Sequence, residues 1–315
     1  MKKKNSIKTK HPISKKILAS FNHYLDRKVI DISEIKNGKI RAEELDKSIV
    51  SGEKLSGYDP LHAIYIYAQN KMSVFVELLA QIPEMAKIVN PYIDSQDEYM
   101  PSGPPMSPLT ASYFFCWGCF DSWAGISRET FGTVAINLCT MLDVDTHLIK
   151  VFQAMQDSRM GFYVHEGFSG NKVFLREIVT QKKHIVIVPS GYLGEDGQVW
   201  FVRILPEPFP ELGFGHSVVF TTPYVILEND NSSVAFSNEN SWILYFERNL
   251  KKTGKKDKST AYEFLMKYGL NKNYWNEYIF QGYINHLNEV IYLTGYPDIP
   301  LSMPHSKESQ RLYGF

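Results

Sequence analysis

Residues 108–120, Pro-Leu-Thr-Ala-Ser-Tyr-Phe-Phe-Cys-Trp-Gly-Cys-Phe, would be apolar on nearly every face of a helix, and such a helix must be buried inside a larger body. The rigid stretch 101–108, rich in proline and glycine, leads into it, with Ser107 suited to the cap and Pro108 to the first helical position. Whatever the chain folds into has to surround this segment. Thr110, Ser112, Asp121 and Ser122 interrupt the apolar run, which falls short of the roughly 20 uninterrupted residues that span a bilayer. No apolar signal core follows the basic N-terminus, and three cysteines are too few for a disulfide framework. The sequence therefore predicts a soluble, intracellular protein of the cytoplasm.

The periodicity changes once along the chain and suggests an α+β fold. Residues 1–12 read as a mobile basic arm and 13–160 as a helical region. Asp59-Pro60 is a strong helix start, Ser73 and Ser127 are candidate caps, and Pro83 is a break. From Arg159 onward, five runs rich in β-branched and aromatic residues (162–168, 172–180, 184–189, 199–205 and 217–227) are separated by turn-forming segments. They predict a five-stranded antiparallel β-meander over 161–228, open or curled into a small barrel. Helical patterns return near 240–250, 260–268 and 273–287, with a further strand at 290–294, giving a C-terminal helical region, 229–315, packed on the sheet.

Asp121 is the most demanding residue, because a carboxylate in an apolar helix is costly unless paired. Arg128 and Arg159 are its expected partners; the sharper reading makes it an acid, base or ligand facing a pocket beside the 101–108 loop. Cys116 and Cys119 have redox-dithiol spacing, but a helix starting at Ser107 puts Cys116 more than two turns in, beyond the help of the helix dipole. Core packing is the better account of both. The pair is also a weak start for a metal site, since Cys139 is the only further thiol and no histidine stands at zinc-finger spacing. Glu129 is explained by the positive end of the helix it begins. His165-Glu166 and Arg176-Glu177 lie in strands, so each pair splits across the sheet. His216 and His305, in irregular segments, are secondary candidates.

The glycine-rich loop 189–197 joins two strands, and Gly213-Phe-Gly215 precedes one; a phosphate cradle wants a strand running into a helix, so no cofactor is assigned. Balanced charge, 34 basic against 34 acidic side chains, removes any global case for nucleic acid. Local lysines, Lys2, Lys3, Lys4, Lys8 and Lys10 in the arm and Lys251, Lys252, Lys255 and Lys256 in a loop, could touch phosphates or an anionic surface. Two functions stay open: a non-catalytic binding or regulatory protein using the meander and its helical shell as a platform, and an unfamiliar hydrolase-like enzyme. The latter has its pocket where the 101–108 loop meets helix 108–123 and the sheet, with Asp121 and Cys116 as chemical groups and Arg128, Arg159 or His165 as helpers.

Overall fold

The structure, a computed structural model, describes residues 12–25, 32–102, 108–226, 238–270, 280–287 and 289–295. Lys2, Lys3, Lys4, Lys8 and Lys10 of the basic arm, and His305, lie outside the described residues. The chain forms two compact units, one drawn from residues up to Asn90 and from Trp123–Gln153, the other from Pro91–Ser122 and from Ala154 onward. Among the described residues no helix is long and apolar enough to cross a membrane.

The first unit is helical. It contains α1 (Pro12–Leu25), α2 (Ile32–Ser48), α3 (Gly52–Leu55), α4 (Pro60–Ala80) and the start of α5 (Ala86–Ser102). Helix α6 (Pro108–Phe120) belongs to the second unit, and α7 (Phe131–Met141) with most of α8 (Thr146–Asp157) returns to the first. Asp59 caps α4 as expected, its carboxylate accepting from the His62 amide at 3.1 Å. Ser73 does not cap a new helix: α4 continues past it, and its hydroxyl bonds back to the Gln69 carbonyl at 3.0 Å. Thr130, rather than Ser127, caps α7 through reciprocal bonds with Thr133. That leaves Glu129 outside its own helix. Buried, it accepts instead from the Ile13 amide at 3.1 Å and the Ser14 amide at 3.5 Å, so the positive helix end it faces is that of α1. Leu61, Tyr65, Ala68 and Met72 of α4, with Val134, Ala135 and Leu138 of α7, make this unit's core.

The second unit is built on a closed five-stranded barrel. Its strands are β1 (Met160–Ser169), β2 (Lys172–Glu177), β3 (Lys183–Ile187), β4 (Val199–Leu205) and β5 (Ser217–Val219), ordered β1-β2-β3-β5-β4 with β4 returning to β1. The predicted α+β fold with a small barrel is what forms. Its strand order departs from a meander at one place: β5 inserts between β3 and β4 and runs parallel to β3, pairing Val186 with Ser217. The expected fifth run also divides near Pro223, which has no amide to give a ladder, and β6 (Tyr224–Ile226) pairs with the outer part of β4.

Alternation along the strands sorts the side chains. Tyr163, Val173, Leu175, Val186, Trp200, Val202, Ile204 and Val219 form the buried cluster inside the barrel. The opposite faces are covered by helices α9 (Glu239–Asn249) and α10 (Lys258–Tyr268) and by α6. The Phe162 ring lies 4.3 Å from Trp242 of α9, and Tyr113 of α6 stacks on Tyr224 at 4.5 Å while its hydroxyl donates to the Thr222 carbonyl. Helix α6 is accordingly buried nearly all round. The third C-terminal helix, expected over 273–287, does not form over 280–286; 271–279 lie outside the described residues. Strand β7 (Phe280–His286) stands there, paired with β8 (Ile291–Gly295), which extends β6 in parallel. The stretch 280–286 thus finds its ladder on β8, whose other edge is taken by β6.

Candidate functional site

Asp121, just beyond α6, is 1% exposed, and neither Arg128 nor Arg159 is its partner. The Arg203 guanidinium of β4, equally buried, donates to Asp121 Oδ2, and the Lys267 ammonium of α10 faces Oδ1 at 2.8 Å as an ion pair without hydrogen-bond alignment. Both cations have a second task. Arg203 Nη1 donates to the Ser158 carbonyl at 3.1 Å; Lys267 Nζ donates to that carbonyl at 2.7 Å and to the carbonyl of Gln156. These carbonyls end α8, where backbone acceptors lack intrahelical donors and the dipole favours cations. Asp121 thus neutralises part of the charge that caps α8. Burial lowers the Lys267 pKa, and Asp121 opposes that shift.

Cys116 and Cys119 lie buried against this cluster. Burial, followed by neighbouring Cys116, pushes the Cys119 thiol well up, which disfavours the thiolate that redox or metal chemistry needs. Cys139 belongs to the helical unit, and among the described residues no three His, Cys, Asp or Glu side chains gather as a ligand set. The 101–108 loop, proposed to wall a pocket here, lies outside the described residues over 103–107.

Ser158 and Arg159 open onto a cleft of about 510 Å³ at one end of the barrel. β1 and β3 begin there, β2 and β4 end there, and β5 starts there, so all five strands contribute: Tyr163, Glu177, His184, Ile204 and Ser217. Arg159 spends all five N–H donors. Nε and Nη2 reach Glu263 at 2.6 and 2.5 Å, Nη1 and Nη2 reach Glu177 at 2.6 and 3.1 Å, and Nη1 also reaches the Met160 carbonyl at 3.1 Å. Burial opposes the charge on Glu177, but the two-pronged Arg159 contact and the Thr180 hydroxyl outweigh it and hold the carboxyl below its usual range. The Tyr163 hydroxyl joins the same carboxylate. Gly161 makes room for this: a Cβ there would stand 2.7 Å from both Glu177 Oε1 and the Tyr163 hydroxyl.

His184 meets Tyr163 edge-on at 5.6 Å, and burial, with Lys182 adding to it, lowers its pKa from 6.5 to about 4. The folded state therefore holds this proton less tightly than the unfolded chain. Stability falls as pH drops through the window between 6.5 and about 4. In His184→Gln, the slope of melting temperature against pH in that window is expected to flatten by up to one proton's contribution, leaving the share of His165 in place. An unchanged slope in the variant would remove His184 from the account.

Arg128 and His165 do not reach the cleft. Arg128 belongs to the helical unit, with its guanidinium 5.3 Å over the Trp123 ring. His165 is fully buried among the barrel side chains: Nδ1 accepts from the Gly167 amide at 3.1 Å, so Nε2 carries the proton and donates to the Leu193 carbonyl at 2.7 Å. Glu166 faces away, bonded to Arg176 at 2.6 Å, and Arg176 and Glu177 likewise part across the sheet. Arg159 and His216 do line the cleft; Tyr163, Glu177 and His184 are the members that sequence reasoning missed. No protein-family model, curated protein or solved structure matches this chain.

Proposed function

We propose that this is a non-catalytic binding or regulatory protein that takes a polar segment of a partner protein into the mouth of its barrel. One observation carries the reading: the buried Arg159 charge at the mouth is already matched, held by Glu177 and Glu263, while the cleft beside it stays open. A wall of this kind presents fixed hydrogen-bonding groups without committing a charge to proton transfer. His184, neutral near pH 7, offers both a donor and an acceptor. The alternative, a hydrolase working through Asp121, would require that carboxylate to release Arg203 and Lys267, leaving two buried cations behind. The buried thiols Cys116, Cys119 and Cys139 suit a reducing, cytoplasm-like setting.

The test is titration of the isotope-labelled full chain with an array of synthetic peptides, read by amide shifts and by mass spectrometry of the recovered peptides. Shifts at 180–185 and 215–217 with peptides returned intact are expected. Cleaved peptides would replace binding by hydrolysis, and shifts confined to other residues would take the cleft out of consideration.

A further inference from the structure

Lys251, Lys255, Lys256 and Lys258 converge on a second hollow of the barrel unit, about 360 Å³ in volume, with Glu247 as the only acidic lining residue among the described residues. Leu250 and Ala261, both buried, line it as well. Four ammonium groups against one carboxylate give this lining a formal charge of +3.

Lys255 and Lys256 sit on a segment held at both ends, with Lys251 and Lys258 flanking it. Gly254, with φ 68°, closes the turn that Lys251 opens, its amide donating to the Lys251 carbonyl at 3.1 Å. Asp257 fixes the far side by accepting from the Thr260 amide at 2.7 Å, which also means that the first turn of α10 is already capped. Lys255 is pinned further, its ammonium 4.8 Å from the Phe264 ring centre. The attraction for an anion therefore comes from the gathered side chains, independently of the helix end.

We propose that this hollow binds a small ligand carrying a di- or triphosphate group. Ammonium groups serve phosphate as point charges, an anion of about three charges would balance the lining, and the volume is that of a small-molecule site. A nucleic-acid backbone spreads one charge along about every 1.7 Å of duplex and calls for an extended basic track, whereas here the charge is collected in one concavity.

Calorimetric titration of the full chain with inorganic tripolyphosphate tests the proposal at low and at physiological ionic strength. One site is expected. Lys251→Gln combined with Lys255→Gln should weaken it about 10-fold or more. Lys15→Gln with Lys16→Gln, the same charge change on exposed positions of α1, should leave affinity within about 2-fold. Unchanged melting temperatures for both pairs would confirm that folding is intact, and amide shifts at 251–258 rather than at 180–185 would separate this site from the barrel mouth. The proposal falls if tripolyphosphate does not bind, if both pairs of substitutions weaken it equally, if orthophosphate or sulfate binds as well, or if RNA or duplex DNA binds the same lysines more tightly.

Discussion

Asp121→Ala is expected to destabilise the protein by about 3–5 kcal/mol, because it strands Arg203 and Lys267, two cations with almost no access to water, around a single truncated side chain. Breaking a buried pair from one side costs more than removing the whole set, so the partners should respond unequally. Lys267→Met leaves Asp121 and Arg203 matched one to one and should cost less than Asp121→Ala; joining the two substitutions should recover part of the loss. Urea denaturation with an unchanged denaturant slope provides the measurement. There is also a pH signature. Lys267 releases its proton more readily when folded than its unfolded pKa of 10.5 implies, so stability rises with pH up to that value. Removing Asp121, which raises the Lys267 pKa, widens the window and steepens the rise. A loss below about 1 kcal/mol, with no steepening, would show that Asp121 does not hold the cluster together.

The second large effect is expected at the opposite end of the barrel. Trp200 is fully buried there, its ring 5.3 Å from His165 and 5.6 Å from Tyr192, and its Nε1 donates to the Gln198 side chain at 3.1 Å. Gly194 approaches so closely that a Cβ on it would lie 2.5 Å from the indole, and its φ of 71° admits few other residues. Trp200 plugs the end where β4 begins, which leaves the cleft end as the open mouth. Trp200→Ala should cost about 3–5 kcal/mol by loss of burial and by the cavity left behind. Trp200→Phe should keep much of that packing and lose the indole bond, at about 1–2 kcal/mol. Equal losses in the two variants, measured by urea denaturation, would mean that the hydrogen bond rather than the filled volume matters.

Much of this architecture is legible in the residues. The change from helical to alternating pattern at Arg159 marks the start of β1, and the uniform apolarity of 108–120 correctly requires a helix with neighbours on every side. Strand order was not legible, because the insertion of β5 beside β3 depends on which edges meet after β4 has formed. The partner of Asp121 is legible by the same reasoning. The rule that marks a carboxylate in an apolar helix applies equally to Arg203 in Val-Trp-Phe-Val-Arg-Ile-Leu, a strand buried along its whole length. Glu177 and His184 carried no such mark: each stands beside polar neighbours at a strand end, and only barrel closure brings them to Tyr163.

Synthesis order gives the burial of α6 a further meaning. The acceptor for Tyr113 lies 109 residues downstream, and Arg203, the nearer in sequence of the two cations on Asp121, lies 82 residues downstream. At about 5–20 residues per second, roughly 4–16 s separate the making of α6 from that of β4. During that interval a helix oily on every side is already outside or leaving the ribosome while its cover is still being translated. A nascent chain of this sequence is therefore a natural client for a holding chaperone, and a fragment ending at the junction of α8 and β1 would carry the same exposed helix permanently.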